Sequence, residues 1–223
     1  MAEVFHRRLF LQGPAGRLEA TLWTRPENER VRLSAVVCHP HPLFGGTLHN
    51  KVVYQVAKTL HRLGAPVLRF NFRGAGMSEG KHDHGRGESD DVRVAVDFLS
   101  ETFPAAPILL AGFSFGAAVG LRVGCSEERV AALVGLGLPV NDSNFSYLES
   151  CTKPKLFVQG ERDQYGSMEK MRALFSTVPE PKHMVVVDGA DHFFTGKLGE
   201  VDVAVREWIT SRHPELAASR SAS

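Results

Sequence analysis

The sequence predicts an α/β fold: a mostly parallel sheet of about eight strands, opened by an antiparallel hairpin and covered by helices on both faces. Two observations carry this. Short apolar runs alternate along the chain with longer stretches of helical periodicity. The chain has 223 residues, enough for one large core and too few for two comfortable ones. Strand and helix in alternation favour right-handed crossovers and a layered sheet, with ligands bound at the carboxyl ends of its strands.

The first pair of strands is read from Val4 to Leu11 and Arg17 to Trp23, which flank a Gly13-Pro14 turn. Six short apolar runs follow: Leu33 to Cys38, Pro66 to Phe72, Pro107 to Ala111, Val130 to Leu136, Lys155 to Gln159 and His183 to Val187. Their near-continuous apolar character suits strands buried on both faces. Helices are expected over His49 to Leu63, Ser89 to Glu101, Phe115 to Cys125, Ser167 to Val178 and Val201 to Arg212, where apolar residues recur at spacings of three and four, as in Val92, Val96 and Leu99. One domain is expected over residues 1–216. The Ala, Ser and Arg run from Ala217 to Ser223 is read as a disordered tail.

Composition narrows the function classes. Lys and Arg number 26 against 25 Asp and Glu, a net charge of +1 that leaves no basic excess for nucleic acid. The 43% hydrophobic content supports a packed core. Cys38, Cys125 and Cys151 are widely spaced and contain no C-x-x-C pair, so free thiols are expected in place of a disulfide framework or a thiolate zinc site. The opening residues, with Glu3, His6, Arg7 and Arg8, hold no uninterrupted apolar run, so no signal peptide or membrane span is predicted. A cytoplasmic protein without a membrane partner is the expectation.

The strongest motif is Gly112-Phe113-Ser114-Phe115-Gly116, which follows the run Ile108-Leu109-Leu110-Ala111 and opens the helical stretch from Ala117 to Leu121. Strand, tight turn and helix are the setting of a G-x-S-x-G nucleophile elbow, where the serine projects above the sheet at a helix start. A serine needs a base within hydrogen-bond reach and a third group to orient that base. Asp163 follows one strand through Gly160-Glu161-Arg162, and His192 follows another through Asp188-Gly189-Ala190-Asp191. Both lie just past strand ends, in the chain order Ser, Asp, His. Glu161 and Asp188 compete with Asp163 for the acid role. Asp191 is assigned to ordering the loop, because imidazole is the better base near neutral pH.

Acyl transfer also needs donors aimed at the oxyanion. The Phe115 N–H, next after the nucleophile, is one. The second is expected from His39-Pro40-His41-Pro42-Leu43-Phe44-Gly45-Gly46. Pro40 and Pro42 carry no N–H, which leaves Leu43 or His41, with Leu43 preferred. Phe44, Phe193 and Phe194 are candidate walls of a substrate pocket; Phe115 is a further one, and Phe113 reads as core.

Other signals are set aside. The loop Gly74 to Lys81 misses the Walker spacing, with His82 where Ser or Thr is needed. His39, His41, His82 and His84 accompany no recognised ligand pattern, so no metal or other cofactor is predicted. Arg73 is read as pinning its turn to Asp90 or Asp91, and Cys125 as a core residue of its helix.

These residues resemble the α/β-hydrolase superfamily, in particular its small bacterial dienelactone-hydrolase-like and carboxylesterase branch without a lid. The matching segments are His39-Pro40-His41-Pro42 with Gly45-Gly46 and His49-Asn50-Lys51, Arg69-Phe70-Asn71-Phe72-Arg73-Gly74 with Gly76 and Ser78, the elbow at Ser114, Gly160 with Asp163, and His192-Phe193-Phe194. The resemblance implies an α/β-hydrolase domain, a catalytic triad of Ser114, Asp163 and His192, and hydrolysis of small carboxylic esters with short acyl chains through an acyl-enzyme. Dienelactone hydrolases carry cysteine at the elbow where this chain has Ser114, which favours an esterase over a lactone hydrolase. The connection Pro139 to Lys153 is too short for a large lid. A thioesterase or peptidase with the same triad, or a catalytically silent binding module, is the alternative. The partner expected is a small-molecule ester, and the chain is a monomer or a homodimer.

Overall fold

One eight-stranded sheet organises the computed structural model, which describes residues 5–25 and 31–213. The elements run β1 (Phe5–Gly13), β2 (Gly16–Thr24), β3 (Ser34–Cys38), α1 (Lys51–Arg62), β4 (Val67–Phe70), α2 (Arg86–Thr102), β5 (Ile108–Phe113), α3 (Phe115–Ser126), β6 (Val130–Leu136), β7 (Lys155–Gly160), α4 (Met168–Thr177), β8 (Lys182–Val187) and α5 (Leu198–Arg212). The strands lie in the order β1-β2-β4-β3-β5-β6-β7-β8. β1 pairs antiparallel with β2, and β2 antiparallel with β4; all other pairings are parallel.

Each predicted strand and helix is found, with its ends moved by a few residues. α2 starts earlier than its apolar periodicity does, because polar groups build its first turn. Glu88 accepts the Gly85 N–H at 2.8 Å and Asp83 accepts the Gly87 N–H at 3.1 Å. α1 starts later, at the point where the side-chain Oδ1 of Asn50 caps the Val52 N–H at 2.9 Å. The predicted tail 217–223 lies outside the described residues.

Alternation along the strands divides the core in two. Ala35, Val37, Leu109 and Ala111 face α1 and α5, where Val53, Leu60, Val205 and Ile209 pack. Val36, Cys38, Ile108 and Leu110 face α2 and α3, with Val92, Leu99, Ala117 and Leu121. Between β6 and β7 the chain forms only a short 3-10 turn at Ser146–Ser150, in keeping with the expected lack of a large lid.

The cysteines correct the sequence reading. Cys125, in the last turn of α3, is joined in a disulfide to Cys151, just past that 3-10 turn. Their Cα atoms are 5.3 Å apart although 26 residues separate them, so wide spacing in sequence says nothing of distance across a crossover. Only Cys38 is a free thiol, buried in the core, where desolvation raises its pKa.

Candidate active site

Ser114 sits between β5 and α3 with φ +55° and ψ −119°, a backbone conformation that non-glycine residues rarely adopt. Its N–H is held by the Leu136 carbonyl at 2.9 Å, which fixes the turn against β6. Two glycines permit the turn. A Cβ on Gly112 would strike the Gly116 carbonyl, and one on Gly116 would strike the carbonyl oxygens of Cys38 and His39. The elbow therefore seats α3 directly on the end of β3.

The base and the acid arrive from the ends of β8 and β7. Gly160 lets those ends meet: a Cβ there would lie 2.6 Å from the Ala190 carbonyl oxygen and 2.7 Å from that of Asp191. His192 Nε2 stands 2.9 Å from Ser114 Oγ. Its Nδ1 stands 2.8 Å from Asp163 Oδ2 and 3.0 Å from Oδ1. His192 and Asp163 are buried, while Ser114 is partly exposed. The structure thus brings together the three residues that the sequence singled out.

Asp163 has further donors that sequence reasoning did not find. The N–H groups of Tyr165 and Gly166 reach Oδ1 at 2.8 and 3.0 Å, and Gln159 Nε2 reaches Oδ2 at 2.9 Å. The signal for Gln159 is its place as the polar end of the run Leu156-Phe157-Val158, where its side chain is fully buried. Glu161, the rival acid, instead accepts the Gly189 N–H at 2.9 Å in an exposed turn. Asp191 orders the loop, as expected, by accepting the Thr195 N–H at 2.9 Å, and that backbone bond holds its pKa below the ordinary carboxylate value.

The loop after β3 carries both candidates for the second oxyanion donor, Leu43 and His41. Pro42–Phe44 form a 3-10 turn capped by His41, whose Nδ1 accepts the Leu43 N–H at 3.2 Å. The Leu43 N–H, preferred from the sequence, is thereby committed within its own loop. Among the described residues the His41 N–H meets no acceptor. The same is true of the Phe115 N–H, which opens α3 and so lacks an intrahelical partner. The rings of His41 and Phe115 lie 4.8 Å apart.

His39, which precedes this loop, is fully buried and neutral in character. Its Nδ1 donates to the Pro40 carbonyl at 2.6 Å and its Nε2 accepts the Phe72 N–H at 2.9 Å. Burial pushes its pKa down to about 4. Arg73 pins its turn to Asp91, with Nη2 2.7 Å from Oδ1, and Asp90 pairs instead with Arg93. His82 Nδ1 stands 2.8 Å from Glu88 Oε1, and its ring lies beside those of His41 and His84.

The aromatic candidates separate by burial. Phe44 is 85% exposed and leans on the His41 ring at 4.7 Å; Phe193 is 42% exposed and meets the His192 ring at 5.2 Å. Both stand at the rim of the site. Phe194 does not: it is completely buried, packed toward Phe113 beneath His192, so its role as a pocket wall is withdrawn. Of the two adjacent phenylalanines in this turn, Phe194, with φ +50°, is the buried one and anchors it. Tyr165, unforeseen from the sequence, is 44% exposed with its ring 4.7 Å from that of His192.

A family model described as an alpha/beta hydrolase domain matches residues 34–207. An uncharacterized protein of Rickettsia prowazekii is 34% identical over 211 residues, spanning 91% of this chain and 88% of that protein. Among solved structures, an a/b serine hydrolase without lid from Xanthomonas campestris is 33% identical with a TM-score of 0.85, covering 92% of this chain and 94% of that one. An alpha-beta serine hydrolase homologue from Coxiella burnetii is 38% identical with a TM-score of 0.84, covering 90% and 96%. Within the described residues no helix is long and apolar enough to cross a membrane.

Proposed function

The chain belongs to the alpha/beta hydrolase family, and from that premise we propose that it is a serine carboxylesterase acting on small esters through Ser114, His192 and Asp163. The observation that carries the reading is the unbroken relay from Asp163 through His192 to Ser114, with contacts of 2.8 and 2.9 Å, on a strained elbow. Strain of this kind persists where the surrounding structure over-determines it, and a nucleophile is the residue that gains from it.

In acylation, His192 Nε2 takes the Ser114 hydroxyl proton as Oγ forms a bond to the ester carbonyl carbon. Asp163 orients the imidazole and offsets the charge it acquires. The carbonyl π electrons move to oxygen, and the N–H groups of Phe115 and His41 hold that oxyanion. His41 takes this role over Leu43 because its N–H is uncommitted. The intermediate collapses, the C–O bond to the alcohol breaks with its electron pair on that oxygen, and Nε2 returns the proton so that a neutral alcohol leaves. Water then repeats both steps on the acyl-enzyme and releases the acid.

The test is hydrolysis of p-nitrophenyl esters from acetyl to palmitoyl by the purified protein beside Ser114→Ala. Turnover of the short esters, abolished by the substitution, is expected. If the protein cleaves thioesters or peptides and no ester, the machinery stands and the substrate assignment fails. If a fluorophosphonate does not label Ser114, the catalytic reading itself is lost.

A further inference from the structure

We propose that Tyr165 and Phe193 form the subsite for the alcohol half of the substrate, which makes the preferred substrates esters of apolar alcohols. The proposal rests on the ester-hydrolase reading above and specifies one half of its substrate.

The His192 imidazole has three aromatic neighbours. Phe113, at 5.1 Å between ring centroids, is 1% exposed and backs the imidazole from the core. Tyr165, at 4.7 Å, and Phe193, at 5.2 Å, present much of their surface to solvent. Exposed aromatic surface gathered at a reactive group marks a place where an apolar ligand is received, since covering it removes apolar area from water.

The chemistry determines which part of the ligand goes there. When the tetrahedral intermediate collapses, the proton carried by His192 Nε2 passes to the departing oxygen, the carbon–oxygen bond breaks, and the alcohol leaves uncharged. The departing oxygen must then lie within about 3 Å of Nε2. The first carbons of the alcohol consequently sit beside the imidazole edge, next to the two rings in contact with it.

The fold holds those rings in register with the base. Tyr165 lies in the turn that presents Asp163, and its own N–H is one of the donors to that carboxylate, at 2.8 Å. Phe193 directly follows His192. Its loop is tied down by the Asp191 bond to Thr195 at 2.9 Å, by the Phe194 N–H to the Asp191 carbonyl at 3.1 Å, and by the buried Phe194 ring. With Phe194 turned inward, Phe193 is turned out. The subsite is therefore as ordered as the acid and base themselves.

The experiment measures kcat/KM for the acetates of methanol, 1-butanol, 1-hexanol and 2-phenylethanol, alcohols of similar acidity. This constant covers binding and acylation, the stage at which the alcohol departs. For the unaltered protein a rise of roughly ten- to thirtyfold from methyl to hexyl acetate is expected, from partial burial of the added methylenes. In Tyr165→Ala and Phe193→Ala the loss should grow along the series, so that the rise flattens to roughly threefold, whereas Tyr165→Phe should retain it. A parallel series with methanol fixed and the acyl chain lengthened should keep its slope in every variant. Equal losses on all four acetates would assign the two rings to holding His192 alone and overturn the proposal. A flat series for the unaltered protein would overturn it too. If Ser114 is labelled by a fluorophosphonate and no ester is cleaved, the ester reading falls and takes this subsite with it; an unflattened slope in the variants removes the subsite only.

Discussion

Gln159 joins Asp163 to the end of β6: its Nε2 donates to Asp163 Oδ2 at 2.9 Å while its Oε1 accepts the Leu138 N–H at 2.8 Å. The same Nε2 also reaches the Gly166 carbonyl at 3.0 Å, so one buried amide ties the acid turn to the neighbouring crossover. Gln159→Leu keeps much of the volume and removes every one of these bonds. Each buried group left unpaired costs about 1–3 kcal/mol. The expected result is a lower urea midpoint together with a fall in kcat of roughly tenfold or more, since about 1.4 kcal/mol is tenfold in rate. An unchanged kcat in the less stable variant would show that Gln159 supports the fold without positioning Asp163.

Gly116 is a closed point of the elbow, because a side chain there meets the main-chain carbonyls of Cys38, the last residue of β3, and of His39 after it. Backbone oxygens cannot turn aside as a flexible side chain can. Gly116→Ala is therefore expected to destabilise by about 2 kcal/mol or more, in the range of overpacked core substitutions, and to displace the Phe115 N–H. Thermal unfolding with p-nitrophenyl acetate turnover checks both halves. Gly45→Ala serves as the contrast: its φ of +76° carries strain, but nothing lies within 4 Å of the added methyl.

His39 gives the fold an acid-sensitive component. Its pKa of about 4 lies below the ordinary 6.5, so between those values the unfolded chain binds a proton that the folded chain does not. The stabilisation is complete above pH 6.5, declines as pH falls, and is exhausted near pH 4, a change on the order of 3 kcal/mol. Denaturant unfolding at pH 7.5 and pH 4.5 should show His39→Gln losing less stability on acidification than the unaltered protein. A glutamine oxygen can still accept the Phe72 N–H; the Nδ1 bond to the Pro40 carbonyl is lost at both pH values, so the difference between the two pH values isolates the titration. Equal acid losses in both proteins would count against His39 as the source.

Much of this molecule was legible in its sequence because the signals were local. Apolar runs bounded by turns located the strands of the sheet, and the glycines around Ser114 marked a turn that only one backbone shape satisfies. Asp163 and His192 followed because the carboxyl ends of parallel strands share one edge of the sheet, where their loops meet. What escaped notice depends on contacts between segments distant in the chain. Gln159 reads as one polar residue in an apolar run until Asp163, Leu138 and Gly166 are seen around it. Phe193 and Phe194 are identical as letters, and only the turn decides which is buried. Cys125 and Cys151 look remote until the crossover folds one beside the other. The Leu43 N–H is a local case: the His41 Nδ1 that accepts it stands two residues away in the same loop.

That last relationship leads to a test of the oxyanion assignment by deleting the His41 N–H. His41 has φ −54°, within the range a proline ring imposes, so His41→Pro deletes the N–H while leaving the backbone where it is. His41→Ala is the matched control: it also loses the imidazole and its bond to the Leu43 N–H, yet keeps its own. Loss of one oxyanion donor typically lowers kcat by about a hundred- to a thousandfold, and that fall is expected of the proline variant alone. The alanine variant should stay within roughly tenfold of the unaltered protein, well short of the loss of a donor. Measured with p-nitrophenyl acetate, near-equal activities of the two variants would exclude the His41 N–H. They would return the role to Leu43, whose N–H both substitutions release from the imidazole.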